Sequence, residues 1–169
     1  MTQKHFVCAN HIQWLKNHTQ EILPSWNNVT EQGIYFLDRA MWTDAIPPLG
    51  CSYELAELYL ELHLSQDKNL SSNDTDFFEP ALTMFSTSTK RFLFTLIQSD
   101  QDSLASKTID QTNLFIQRLK KQALPSNCTQ LSDLSRTLKI IRFTKNEYLS
   151  EPKTSFFSPL SPDAQLVMQ

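Results

Sequence analysis

The sequence predicts an all-α fold, a single-domain bundle of five or six helices with a flexible C-terminal tail. Apolar residues recur at spacings of three and four along most of the chain. Only two glycines, Gly33 and Gly50, occur in 169 residues, whereas sheets need glycine at bulges and tight turns. The stretch Phe77–Ile97 is apolar on every side, as expected of a helix at the centre of a bundle. We place the bundle domain at residues 1–151 and a Ser/Pro-rich tail at residues 152–169.

Two helices are predicted before residue 43. The first covers about Lys4–Leu23, where apolar residues follow a helical period, and Pro24 is expected to end it. The second covers about Val29–Trp42, with Asn28 placed to cap its first turn. Gly33 lies inside this helix and is expected to weaken it by about 1 kcal/mol relative to alanine.

A loop and a third helix follow. The segment Thr43–Cys51 is predicted as a loop, because the pair Pro47–Pro48 and Gly50 disfavour regular structure. Ser52 is then expected to cap a helix over Tyr53–Leu64. The polar residues from Ser65 to Thr75 suggest a linker before the central helix.

The last two helices are predicted over Asp102–Ala123 and Thr129–Leu149. Because only a short connection separates them, we expect them to pack as antiparallel neighbours. The alternative is an α+β fold with a small sheet. It rests on Arg91–Ser99 and Leu138–Thr144, which are rich enough in β-branched and aromatic residues to be strands.

Composition bounds the compartment. No stretch approaches the roughly 20 apolar residues of a membrane span, and the first residues carry no continuous apolar segment of the signal-peptide type. Three widely spaced cysteines suggest reduced thiols and a cytoplasmic location. Secretion, or delivery into a host cell, is the alternative, because five Asn-x-Ser/Thr sites occur. They start at Asn17, Asn28, Asn69, Asn73 and Asn127.

Charge divides the chain into two unlike parts. Residues 1–102 carry six basic and thirteen acidic side chains, a net charge of −7. Residues 103–153 carry nine basic and four acidic side chains, a net charge of +5. With Asp163 the total is −3. Such an asymmetry shapes the surface field and the choice of partner.

In the acidic part, Glu54, Glu57 and Glu61 recur at spacings of three and four and fall on one helix face. We predict a solvated acidic face there, since calcium prefers ligands from several elements. In the basic part, five cations are candidates for contact with an acidic protein partner. They are Arg118, Lys121, Arg136, Lys139 and Arg142. Nucleic-acid binding by this basic hairpin is the alternative.

Aromatic residues supply the remaining candidate contacts. Trp26 and Trp42 lie in the tryptophan-rich first quarter, where core packing competes with a role as interface anchors. In the tail, Phe156 and Phe157 sit between serine and proline residues, as in many short linear motifs.

No catalytic, cofactor or metal residue is assigned. The four histidines do not form a metal-binding or nucleophilic constellation at the spacings that such chemistry requires. The sequence therefore favours a non-enzymatic protein-interaction module such as an adaptor, an inhibitor or immunity protein, or a secretion chaperone. The alternatives are a secreted four-helix cytokine-like ligand and a nucleic-acid-associated regulator. The oligomeric state is not predicted.

Overall fold

The computed structural model describes residues 5–66, 75–121 and 129–150, which form six α-helices, one short 3₁₀ helix and no strand. The helices are α1 (Ala9–Asn17), α2 (Ile22–Leu37), α3 (Trp42–Gln66), α4 (Thr75–Gln98), α5 (Asp102–Lys121) and α6 (Thr129–Ser150), and the 3₁₀ helix is Thr19–Glu21. The all-α prediction is confirmed. The small-sheet alternative is wrong, because residues 91–98 and 138–144 lie inside α4 and α6.

The predicted first and second helices have the wrong boundaries. The helix break falls at His18, where the backbone leaves helical geometry (φ −132°, ψ 61°), and not at Pro24. Pro24 instead occupies the third residue of α2, where its missing N–H would have no partner within the helix. Asn28 lies within α2 rather than capping it, and its side-chain oxygen accepts a hydrogen bond from Gln32 at 3.2 Å.

The loop predicted over Thr43–Cys51 is also wrong, because α3 runs through it without a break. Pro47 and Pro48 lie in the second turn of α3 and each removes a backbone donor from the helix. Packing outweighs this loss, since Ala45 and Leu49 are fully buried on the inner side of the same turns.

Both glycines lie where another element comes close to a helix. A Cβ at Gly33 would reach Cγ of Leu49 at 2.5 Å, so α2 and α3 pack together only because Gly33 has no side chain. A Cβ at Gly50 would reach the ring of Phe6 at the same distance. Two other residues, Ala40 and Asp100, adopt the left-handed conformation at the turns after α2 and α4.

Helix α4 is the centre of the bundle, as predicted, and packs against α3, α5 and α6. Phe85, Phe92, Leu93 and Leu96 are buried along it, whereas Phe94 remains 47% exposed. Its apolar character on all sides therefore corresponds to burial on most sides.

A buried row of polar groups joins α2, α3 and α4. The indole nitrogen of Trp26 donates to the hydroxyl of Ser88 at 2.8 Å. The Ser88 hydroxyl lies 3.1 Å from that of Ser52, which in turn lies 2.8 Å from that of Thr30. Ser52 thus joins this network within α3 instead of capping a helix.

Three sets of predictions lie outside the described residues. They concern most of the linker between α3 and α4, the connection at residues 122–128 and the tail at residues 152–169. Among the described residues, no helix is long and apolar enough to cross a membrane.

Candidate functional site

A cavity of about 540 Å³ opens between the N-terminal segment, α3 and α5. Pockets for small ligands commonly have volumes of roughly 300–1,000 Å³. Its lining mixes carboxylates, cations, amides, one phenol and one apolar side chain. The lining residues are His5, Tyr53, Glu54, Glu57, Gln111, Leu114, Gln117, Arg118 and Lys121.

The glutamate stripe of α3 faces this cavity or its edge. Glu54, Glu57 and Glu61 share one face, as their spacing predicted. Their side chains are 15%, 26% and 42% exposed. The predicted solvated acidic face is therefore wrong for Glu54 and Glu57, because the N-terminal segment and α5 cover them.

Glu54 holds the N-terminal segment against α3. Its carboxylate accepts hydrogen bonds from the backbone N–H groups of Phe6 at 3.1 Å and Val7 at 2.7 Å. Nδ1 of His5 lies 3.4 Å from the same carboxylate. The Phe6 ring packs over Gly50 and meets the ring of Phe92 edge-on at 5.3 Å. These contacts make residues 5–7 one wall of the cavity.

Arg118 is the cation that α5 directs toward the stripe. Its guanidinium lies 3.3 Å from Glu61 and 3.8 Å from Glu57. It also lies 5.1 Å from the ring centroid of Phe115, within range of a cation–π contact. Because the Arg118 side chain is 61% exposed, water screens its charge, and it compensates the carboxylate of Glu57 only weakly.

Glu57 has a raised pKa because of its position in the cavity. Burial raises the pKa of its carboxyl to about 7, and the neighbouring charges of Glu61 and Glu54 act in the same direction. Arg118 opposes this shift without cancelling it. Glu57 is therefore close to half-ionised near neutral pH, and its negative charge is under-compensated.

Tyr53 forms the inner end of the cavity. It is buried, its ring stacks on that of Phe92 at 5.8 Å, and its hydroxyl lies 3.2 Å from that of Thr112 on α5. Burial, followed by the nearby charge of Glu57, raises the pKa of this phenol above its ordinary value. Tyr53 is therefore a neutral hydrogen-bonding group at the base of the site.

The cavity combines an acidic interior with basic groups near its opening. Arg118 and Lys121 are exposed, whereas Glu54 and Glu57 lie further inside. The carboxylates inside the cavity can accept hydrogen bonds from a cationic group of a ligand. The parts of the ligand on either side of that group would then contact the rim. Among the described residues, no group of three or more His, Cys, Asp or Glu side chains is arranged to hold a metal ion.

The predicted basic surface is divided. Arg118 and Lys121 belong to the cavity, whereas Arg142 forms an ion pair with Asp110 of α5. Arg136 lies 4.0 Å from Asp133, and Lys139 is exposed on α6.

The two candidate tryptophans lie away from the cavity lining. Trp26 is partly buried and donates its hydrogen bond to Ser88. Trp42 is partly buried and meets the ring of Phe94 edge-on at 5.6 Å. Phe156 and Phe157 lie outside the described residues.

Sequence reasoning missed five lining residues, His5, Tyr53, Gln111, Leu114 and Gln117. The sequence held one signal for Leu114: it is apolar but falls outside the core stripe of α5, which includes Thr108, Phe115 and Leu119 at helical spacing. In the structure it is 61% exposed. Nothing in the sequence marked the others, because their meeting depends on how α3 and α5 pack.

Comparisons of the chain with protein-family models, with curated proteins and with solved structures find no match.

Proposed function

We propose that this chain is a non-enzymatic protein-interaction module whose cavity receives a basic side chain, lysine or arginine, from a partner protein. The observation that carries the proposal is the presence of Glu54 and Glu57 in the lining of one cavity, with Glu61 beside it and a single arginine, Arg118, shared between Glu57 and Glu61.

The electrostatics of the cavity favour a cationic ligand. A half-buried carboxylate gains most when a cation reaches it directly and completes its hydrogen bonds. Within the part of the chain that the structure describes, the one ion-pair partner of Glu57 is Arg118, which lies 3.8 Å away, is nearer to Glu61 and is 61% exposed. An ammonium or guanidinium group entering the cavity would supply the missing charge, with the neutral phenol of Tyr53 beside it.

The rim of the cavity favours a protein ligand over a free small cation. Leu114 is 61% exposed, and Gln111 and Gln117 lie one turn to either side of it on α5. An apolar side chain between two amides suits the flanking residues of a peptide, which would bury Leu114 and bond to the amides.

A peptide-display selection on the immobilised full chain tests the proposal. Selected sequences are expected to be enriched in lysine and arginine. Glu57→Gln keeps the shape of the side chain but removes its charge, and it is expected to weaken a selected peptide about tenfold or more.

The matched control is Glu31→Gln, which removes an exposed carboxylate of α2 and is expected to leave binding unchanged. The proposal fails if no basic sequences are selected. It also fails if such peptides bind Glu57→Gln as tightly as the unchanged chain.

A second candidate is acid–base catalysis by Glu57. It is favoured by the raised pKa of that carboxyl, which lies where a general acid or base works best. Turnover in a metabolite screen that Glu57→Gln abolishes would support catalysis over side-chain binding.

A further inference from the structure

The outer side of α6 carries a second surface with chemistry opposite to that of the cavity. The helix buries Leu131, Leu134 and Leu138 in the core, at spacings of three and four. Arg136, Lys139, Ile140 and Phe143 project from the opposite side, by the same helical geometry. We refer to these four residues as the α6 outer face.

Large apolar side chains are unusually open on this face. Phe143 is 66% exposed and Ile140 is 59% exposed, and the two are one turn apart. The core stripe of α6 is complete without them. Apolar side chains grouped on an exposed helix face are typical of contact surfaces, whereas single ones are common anywhere.

Two cations, Arg136 and Lys139, and one carboxylate, Asp133, lie on this side of α6, so its net charge is positive. Arg136 lies 4.0 Å from Asp133, and both side chains are more than 60% exposed (76% and 63%), so water screens this pair and leaves Arg136 available to a partner's carboxylate. Lys139 forms no ion pair with any described residue. At the edge of the face, Arg142 is held by Asp110 and contributes less field.

We propose that the α6 outer face docks an acidic, amphipathic segment of a protein partner, distinct from the basic segment that enters the cavity. Ile140 and Phe143 would bury the apolar side chains of that segment, while Arg136 and Lys139 pair with its flanking carboxylates. Nucleic acid would satisfy the cations but leaves Ile140 without a role. An anionic membrane would be opposed by the net charge of −3 on the whole chain.

The two surfaces together would make the chain a bridge. The cavity is lined by the N-terminal segment, α3 and α5, and no residue of the α6 outer face lines it, so the two surfaces are separate. Their opposite charge would select different partners, and the division of the sequence into an acidic and a basic part would follow from this dual role.

The test uses the full chain carrying Glu57→Gln, so that its outcome does not depend on the cavity. Peptide display on this protein is expected to enrich sequences that combine Asp or Glu with Leu, Ile or Phe. A selected peptide should lose about tenfold or more in affinity with Phe143→Ser, with Ile140→Ser and with the charge reversal Lys139→Glu.

The matched control is Phe94→Ser, which removes an exposed phenylalanine from α4 and should leave binding unchanged. Circular dichroism checks that each variant is folded, and the high exposure of Ile140 and Phe143 makes their loss tolerable. A single-stranded oligonucleotide and vesicles of anionic phospholipid are titrated in parallel. The proposal is overturned if acidic sequences are not enriched, if Phe143→Ser binds them normally, or if only the oligonucleotide or the vesicles bind through Phe143.

Discussion

Arg118 on α5 lies 3.3 Å from the carboxylate of Glu61 on α3 and 3.8 Å from that of Glu57, so one cation serves two carboxylates. The outer carboxylate has the shorter contact, and the more deeply placed one remains under-compensated. Burial of Glu57 and this uneven sharing of Arg118 together leave the charge of Glu57 under-compensated.

Removing Arg118 should raise the pKa of Glu57 further. The guanidinium is the group that lowers this pKa, against burial and two like charges. In Arg118→Gln the midpoint should therefore move above about 7. A carboxyl-detected NMR titration measures it, and Arg136→Gln, which changes an exposed arginine of α6, serves as control. An unchanged midpoint would show that Arg118 does not act on Glu57.

The raised pKa of Glu57 also predicts how stability depends on pH. The folded chain binds a proton at Glu57 more tightly than the unfolded chain, whose glutamates titrate near 4.5. Stability contributed by this group is thus lost as pH rises from 4.5 through about 7. In Glu57→Gln this loss should disappear, so the variant should exceed the unchanged chain by roughly 1–3 kcal/mol above the window and match it below.

Urea unfolding at about pH 4.5 and about pH 8.5 checks this difference. Glu31→Gln should give no comparable pH-dependent gain. A Glu57→Gln variant that is equally or less stable at the higher pH would contradict the assigned burial of Glu57.

Replacing Ala40 with glycine should stabilise the folded chain. Ala40 has φ of 55° at the end of α2, where N–H of Met41 bonds to the carbonyl of Phe36 at 2.9 Å. Ala40→Gly should stabilise by about 0.5–1 kcal/mol, since glycine adopts this conformation without strain.

Gly33→Ala should destabilise despite the better helix propensity of alanine. The added methyl group meets buried Leu49, and overpacking of this kind costs roughly 1–3 kcal/mol. Chemical denaturation of both variants measures the two effects. A stabilised Gly33→Ala would mean that α2 and α3 do not pack as closely as described.

The hydrogen bond between Trp26 and Ser88 should couple α2 to α4. Ser88→Ala leaves the indole N–H without its acceptor and should cost about 1–2 kcal/mol. Trp26→Phe removes the donor, so the double variant should lose about 1 kcal/mol less than the sum of the single changes. Ser132→Ala, an exposed serine of α6, is the control, and strict additivity of the Trp26 and Ser88 changes would contradict the contact.

Local signals predicted the later helices well. Periodicity placed α4, α5 and α6 close to their observed bounds, and i, i+3, i+7 spacing placed the three glutamates on one face. The signals failed where packing opposed propensity. Pro47 and Pro48 predicted a loop because each removes a backbone hydrogen bond from a helix. The burial of Ala45 and Leu49 offsets this loss, but that burial is a tertiary effect with no local signal.

The cavity could be predicted only in part, because it too depends on tertiary packing. The charge and spacing of the glutamate stripe on α3 could be predicted from the sequence. Its burial could not, because it depends on α5 lying alongside α3 and on the N-terminal segment folding across Glu54. Neither contact leaves a periodic trace in the sequence. The position of the apolar Leu114 outside the core stripe of α5 was the one available signal on that wall.

The pH dependence of peptide binding shows whether the charge of Glu57 holds the ligand. A selected basic peptide should bind more tightly as pH rises through about 7, because Glu57 then ionises. Charged side chains that also face Glu57 are Glu54 and Glu61 on α3 and Arg118 and Lys121 on α5. The imidazole of His5 on the N-terminal segment lines the same cavity, so His5→Gln is measured in parallel. The increase in affinity with pH should persist in His5→Gln. It should vanish in Glu57→Gln, where binding should be weak at every pH. Equal affinity for the unchanged chain and Glu57→Gln across the whole range would contradict this role of Glu57.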